Sequence, residues 1–501
     1  MENEEKLNVA TKTKLAMVDE KVLATLSPNG KVTKVLTLNA KQTINKINVD
    51  NGQVKFEGEV LFSLLVSMEN GEILPLYEKA TFNKTIDDER IKSSSIVTIE
   101  SFAEDVTSSF DGEDIKLSCT CVFETFLLNA IDDLYCAKKE GNVLTKEEEI
   151  SFESLTNNIS HNFNVTIEIN KDKINKILSV YAMPYIKNLM PATDYFVSTG
   201  EVYTTIVYET TDGEVKSINK REDFSEEIEC VGATKESVIQ ASIYIGQENI
   251  VEGETAYNIE LPLIVNAQVF NTTSISCIVD AYSLDNEVAL TTTSFSHDEF
   301  LQTITSEDNI ITNFKLSENF APIDKILAVI PLGIVKTKQI VKNGELLVEG
   351  IATFNIIYYS EDDDGNRVLS SVDVSLPFSN TFGVGEILPT DEATTQLSFG
   401  DINVKNRHGR DLEMLIELKA NINVFRPKTG AITTEIVVGD EKMPNENALQ
   451  IYVVKDGEDL WEVSKKLNIS STDFILQNKD ISLPLKAGDK VIAYHRLKEE
   501  V

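Results

Sequence analysis

Three stretches of the chain repeat one spacing of glycine and phenylalanine, and this repeat limits the possible folds more than any single motif. Gly58 is followed thirteen residues later by Gly71 and eleven after that by Phe82, and Gly200, Gly213 and Phe224 keep both intervals. Gly350, Gly365 and Phe378 form a third copy with two extra residues in each interval. Each copy has a physical reading as a hairpin. The first glycine heads a strand, where a missing Cβ permits a bulge or a close backbone approach, and the second supplies a positive φ between two strands. The phenylalanine then falls on the returning strand as a core residue. A two-residue shift keeps it on the same face, because side chains alternate along a strand.

The surrounding sequence agrees with this reading. Segments such as VKFEGEVLFSLLVSMENGEILPLYEKATF alternate β-branched and polar residues and are punctuated by Asn, Asp and Gly, the pattern of antiparallel strands. Each copy ends in a further apolar strand, at 115–126, 261–270 and 414–425. In the first two copies an acidic–aromatic segment follows: Ile131-Asp132-Asp133-Leu134-Tyr135 and Val279-Asp280-Ala281-Tyr282. The third copy has Arg426-Pro427-Lys428 there. The fold class is therefore mainly β, with tandem antiparallel β domains expected at 1–155, 156–305 and 306–440. A chain of 501 residues is too long for one core and suits several such units. The polar stretch VVGDEKMPNENA at 437–448, with Pro444, reads as a linker.

Composition removes several function classes. The formal charge is −35, which repels phosphate backbones and argues against nucleic-acid binding. Residues 450–501 hold eight Lys/Arg against nine Asp/Glu, so almost all the excess acid lies upstream. No apolar run approaches the roughly 20 residues of a membrane span. The first twenty residues lack the apolar core and small-residue cleavage site of an export signal. The five cysteines, Cys119, Cys121, Cys136, Cys230 and Cys277, are too sparse for a disulfide framework and fit a reducing cytosol.

Catalytic chemistry is not evident either. Cys119 and Cys121 lack a second pair at metal-ligand spacing and read as core cysteines on one strand face. His161, His297, His408 and His495 are scattered, and none sits in HExxH. Gly383-Val384-Gly385 lacks the third glycine of a dinucleotide loop. Ser360 to Gly365 resembles the start of a calcium loop but lacks carboxylates at its first and twelfth positions, so its place in the repeat makes it a hairpin turn. The expectation is a protein with no catalytic residues, metal or cofactor.

The last fifty residues differ from the rest. Residues 451–454 alternate as a strand, and Asp459 with Glu462 makes an acidic capping box for a helix whose apolar face is Leu460, Val463 and Leu467. A second short helix carrying Phe474 ends at Asn478, which tolerates the left-handed conformation. A final strand covers 490–494, giving the order βααβ. Trp461, the only tryptophan, fits either core packing or a ligand-facing role.

The spaced matches Tyr452 to Gly457, Leu460 to Ser464, Asp473 to Asn478 and Leu485 to Val491 make this segment, 449–496, similar to the LysM family. That resemblance implies a shallow glycan-binding groove formed by Gly457, Glu458, Asp459, Leu460 and Trp461 on one side and Asn478 to Leu485 on the other. Asp459 and Lys479 stand where the family commonly has a hydroxyl residue and a proline. Charged groups beside a neutral sugar cost desolvation, so a protein ligand fits at least as well. The repeats, in turn, resemble the SPOCS domains of spore-coat proteins, the first being divergent. Together the two resemblances imply a coat-morphogenesis scaffold in the mother-cell cytoplasm, at the forespore surface. It would bind the coat ATPase called stage IV sporulation protein A through the terminal module and recruit other coat proteins. The alternative implied by a LysM module is a peptidoglycan- or cortex-binding protein.

Overall fold

The computed structural model describes residues 10–130, 137, 141–362, 364–443 and 448–495. The acidic–aromatic segment at 131–135 and Pro444 lie outside them. The first unit holds β1 (Ala10–Leu26), β2 (Val32–Asp50), β3 (Gln53–Met68), β4 (Ile73–Asp87), β5 (Ile96–Asp111) and β6 (Asp114–Ala130). The second holds β7 (Val143–Asn170), β8 (Ile174–Ala192), β9 (Tyr195–Thr210), β10 (Val215–Glu229), β11 (Val238–Ile245), β12 (Asn249–Glu252) and β13 (Ala256–Ser283). The third holds β14 (Asn286–Lys315), β15 (Lys325–Lys342), β16 (Glu345–Glu361), β17 (Arg367–Gly383), β18 (Glu392–Asn406) and β19 (Asp411–Glu441). The strands through residues 155 and 305 thus belong wholly to the units that follow them. Residues Val437–Glu441, read from sequence as linker, are strand.

Each unit makes two antiparallel sheets. One is a meander, β2-β3-β4, β8-β9-β10 or β15-β16-β17; the other pairs the first, last and penultimate long strands, as in β1-β6-β5, β7-β13-β11 and β14-β19-β18. The repeated glycines sit in the central meander strands. Gly58, Gly200 and Gly350 pair directly with Phe82, Phe224 and Phe378 on one side. On the other side the neighbouring strand is bulged beside each of them, after Ile44, Ile186 and Lys336. A Cβ at any of these glycines would run into the carbonyl of Thr43, Tyr185 or Val335 and into the phenylalanine ring. Gly71, Gly213 and Gly365 have φ of 83°, 79° and 79°, as hairpin turns require. Gly200→Ala is therefore expected to destabilise its unit by about 1–3 kcal/mol through overpacking, measured by urea unfolding, whereas Gly246→Ala, which meets only Pro262 at 3.3 Å or beyond, has a smaller effect.

The three units close into a ring. The last meander strand of each touches the first of the next: β4 meets β8, β10 meets β15, and β17 returns to β2. At their meeting point Leu36, Leu65, Leu178, Val207, Ile330 and Ile357, drawn from all three, share one apolar cluster. Polar contacts cross the same seams, including Asn355 Nδ2 to the Leu36 carbonyl at 3.0 Å and Tyr359 OH to the Val215 carbonyl at 3.3 Å. Between the second and third units Lys419 is buried against Glu201, which is also buried, and bonds Glu307 at 2.8 Å. Lys187 reaches the same Glu201 at 2.7 Å.

Beyond the ring, the long strands continue as a stalk. β7 pairs with β13 as far as Val143 and Ser283, and β14 with β19 as far as Asn286 and Glu441. Small apolar clusters hold the two ribbons together, Phe152 and Cys277 against Phe295 and Ile432, and Val143 and Ile278 against Ile436. Cys119 and Cys121 are core residues of the first unit. Cys277, by contrast, is disulfide-bonded, which corrects the expectation of free thiols throughout. The segment from Ser360 is a hairpin turn, Asp362 accepting the backbone N–H groups of Asp364 and Asn366.

Candidate functional site

The terminal module follows as β20 (Leu449–Val453), α1 (Leu460–Lys466), α2 (Ser471–Gln477) and β21 (Lys490–Tyr494), in the βααβ order of the sequence reading. Its helices start where side chains can replace missing backbone acceptors. Asp459 accepts the Glu462 N–H at 2.8 Å and Glu462 answers to the Asp459 N–H at 3.4 Å, the acidic capping box, while Ser470 caps α2. Val454, Val463, Leu467, Ile469, Phe474, Val491 and Ala493 form a core of the module's own, so it does not borrow one from the repeats.

A groove runs between the first turn and the loop before β21. Gly457, Glu458, Asp459 and Leu460 line one side, and Leu483, Pro484, Leu485 and Lys486 the other. Five of the seven residues expected at a binding site, Gly457, Glu458, Asp459, Leu460 and Leu485, are thus brought together. Glu458 is not free to engage a ligand by itself. Hydrogen bonds from Lys466 and the Lys455 N–H, with one from Tyr452, outweigh desolvation and hold its carboxyl down to about 2. The carboxylate braces the turn from inside.

Asn478 and Trp461 are placed elsewhere. Asn478 is buried, donates to the Phe474 and Ile492 carbonyls at 2.9 and 2.8 Å, and accepts the Ile492 N–H at 2.7 Å. It fastens α2 to β21. Its φ of −118° is outside the left-handed region expected of it, because the side chain satisfies the helix end by another route. Asn468, at φ 52° after α1, takes the left-handed position.

Trp461 lies outside both the module's core and its groove. Its indole Nε1–H donates to Asp280 at 2.8 Å, and its ring meets Tyr282 edge-on at 4.8 Å and 68°. Lys465, one turn along α1, bonds the other Asp280 oxygen at 2.6 Å. Tyr282 OH donates to the Ile469 carbonyl at 2.8 Å, and Asn468 Nδ2 donates to the Leu284 carbonyl at 2.9 Å. Lys146 pairs with Asp459 at 2.9 Å. The acidic–aromatic segment of the second repeat is therefore the seat of the module on the stalk. Burial raises the Asp280 carboxyl, but the bonds from Lys465 and Trp461 outweigh it and leave it below its usual value. Burial also pushes the Tyr282 phenol up to about 12. The segment stands out in the sequence, but nothing local ties residue 280 to residue 461.

Residues 173–252 and 322–406 match the family described as SipL, SPOCS domain. The second and third units are SPOCS repeats of the SipL kind. Both matches cover equivalent elements, β8 to β12 in the second unit and β15 to β18 in the third, so they include the meander and the strand after it. The SPOCS match implies a sporulation context, and the SipL family is non-enzymatic. No curated protein matches the chain. Among the described residues no cluster of His, Cys, Asp or Glu is arranged to hold a metal ion, and no helix is long and apolar enough to cross a membrane.

Proposed function

We propose that this SPOCS-repeat protein is a spore-coat assembly scaffold working at the forespore surface in the mother cell, and that its LysM-type terminal module grips the coat ATPase, stage IV sporulation protein A. The observation that carries the reading is the way the module is mounted. Helix α1 is seated on the end of the stalk, while the groove between Gly457 and Leu485 remains at the surface, with Leu483 half exposed on its rim. A scaffold needs this combination of a rigid multi-unit body and a binding face left at the surface, here anchored at one edge by the Lys146–Asp459 pair. The near-neutral charge of the module against a strongly acidic body also spares an approaching acidic protein most of the long-range repulsion.

The test is retention of the purified coat ATPase by the full chain, by the Leu483→Asp variant and by a chain ending at Met443. The proposal expects binding by the full chain, a loss of at least tenfold for Leu483→Asp, and none for the truncation. The groove's shape equally suits a glycan, so purified peptidoglycan serves as the comparison. Retention on peptidoglycan without retention of the ATPase would replace this reading with a wall- or cortex-binding one.

A further inference from the structure

We propose that the open cavity between the three repeats is a second binding site, and that it takes a neutral oligosaccharide. The cavity measures about 1350 Å³ and is lined by β5 and β6, β11 and β13, and β18 and β19, the same strand pair from each unit, with residues of β1, β2, β7, β14 and β15 as well. This exceeds the roughly 300–1,000 Å³ of a typical small-molecule pocket, so several sugar rings fit.

The chemistry of the wall follows from strand alternation. In β13 and β19 the residues Val265, Ala267, Val269 and Ala420, Ile422, Val424 face the sandwich cores, which turns Asn266, Gln268, Asn421 and Asn423 toward the cavity. Their partners across the ladder are polar as well: Gln240 stands opposite Gln268, and Gln396 opposite Asn421. Gln240, Asn266, Gln268, Gln396 and Asn421 make no side-chain hydrogen bond with any described residue. Asn421 is only 6% exposed. The amide atoms of Asn421 reach the open cavity, whereas both those of Gln42, which also lines it, are buried without a partner, an arrangement that costs about 1–3 kcal/mol.

The first unit supplies a different wall. Lys46 and Glu104 line it without an ion pair among the described residues, while Lys12 pairs with Glu100 at 3.0 Å and Lys14 with Glu124 at 2.8 Å. At either pair an ionic ligand would have to displace the partner already there. Cross-strand amide pairs, each offering donor and acceptor side by side, suit adjacent hydroxyls of a sugar ring. Tyr244, on the same wall and 37% exposed, offers an apolar face for the ring's C–H groups.

The experiment is calorimetric titration of the full chain with maltotetraose and with chitotetraose. At least one is expected to bind with submillimolar affinity, and Gln268→Ala combined with Gln396→Ala should weaken it at least tenfold while leaving thermal unfolding unchanged. Both side chains are only partly buried; if the pair lowers thermal stability, Gln396→Ala alone supplies the same readout. Leu483→Asp, in the terminal groove, should leave this binding intact. Absence of binding by both sugars would overturn the proposal, leaving a water-filled axis. Binding that survives the cavity variants and disappears with Leu483→Asp would overturn it too, moving the sugar to the terminal module. The ATPase test above is independent of either result.

Discussion

Lys419→Met is expected to destabilise the seam between the second and third repeats by about 3 kcal/mol, the lower end of the range for removing one partner from a buried ion pair. Lys419 is 1% exposed and Glu201 2%, so neither charge can be rehydrated in place when its partner is lost. The lower end applies because Lys187 still reaches Glu201 at 2.7 Å. Glu201→Leu with Lys419→Met should recover most of the loss, since a matched apolar pair removes the desolvation cost together with the attraction. Urea unfolding of the unaltered chain and of the single and double variants makes the comparison; equal stability of the single and double variants would show that the pair contributes nothing specific.

The same pair sets a pH dependence of definite sign. Burial raises the Glu201 carboxyl, but hydrogen bonds from Lys187 and Lys419 with their charges outweigh this and leave it below its usual value. Its contribution is present above the unfolded carboxyl pKa of about 4.3 and is lost as pH falls through the lower folded value. Burial lowers the Lys419 amine, yet Glu201 and Glu307 more than reverse this and hold it above its usual value. That contribution is complete below about 10.4 and disappears as pH rises through the folded value. The seam should therefore be insensitive to pH between these limits and weaken outside both.

Which parts of this structure could be read from sequence follows from how far each interaction reaches. Gly58, Gly200 and Gly350 and their phenylalanines were legible because they meet within one hairpin, and the Asp459–Glu462 box because it closes within one helical turn. The ring was not. Contact of β17 with β2 joins residues some 330 positions apart, and no local pattern encodes it. The same limit explains why the strands through residues 155 and 305 gave no boundary signal. Each runs as one strand from the stalk into the sandwich, with bulges at residues 156 and 301 but no turn. Of the expected groove, the residues next to a turn, Gly457 to Leu460 and Leu485, were found because turns are local. Asn478 and Trp461 were drawn elsewhere by Ile492 and Asp280.

Trp461→Ala is expected to release the terminal module from the stalk without unfolding it. Trp461 packs on Tyr282 and bonds Asp280, and the module's core of Val463, Leu467, Phe474 and Val491 does not contain it. Trp461 is partly buried there, and losing an aromatic anchor costs about 2–4 kcal/mol, or roughly 30- to 1,000-fold in the docking equilibrium. Asp280→Ala should act in the same direction, because it removes the acceptor of both Trp461 and Lys465. The isolated module, residues 449–495, should melt at the same temperature with tryptophan or alanine at 461. In the full chain, by contrast, both variants should broaden the interdomain distance distribution in solution scattering and let protease release the module. If the substitution unfolds the isolated module, Trp461 supports its core. If neither scattering nor proteolysis changes while the module stays folded, the remaining contacts of Tyr282, Asn468 and Lys146 suffice to hold the seat. The intermediate result carries functional weight: a released, folded module that still binds the coat ATPase would assign recognition to the groove and leave Trp461 the task of orienting it.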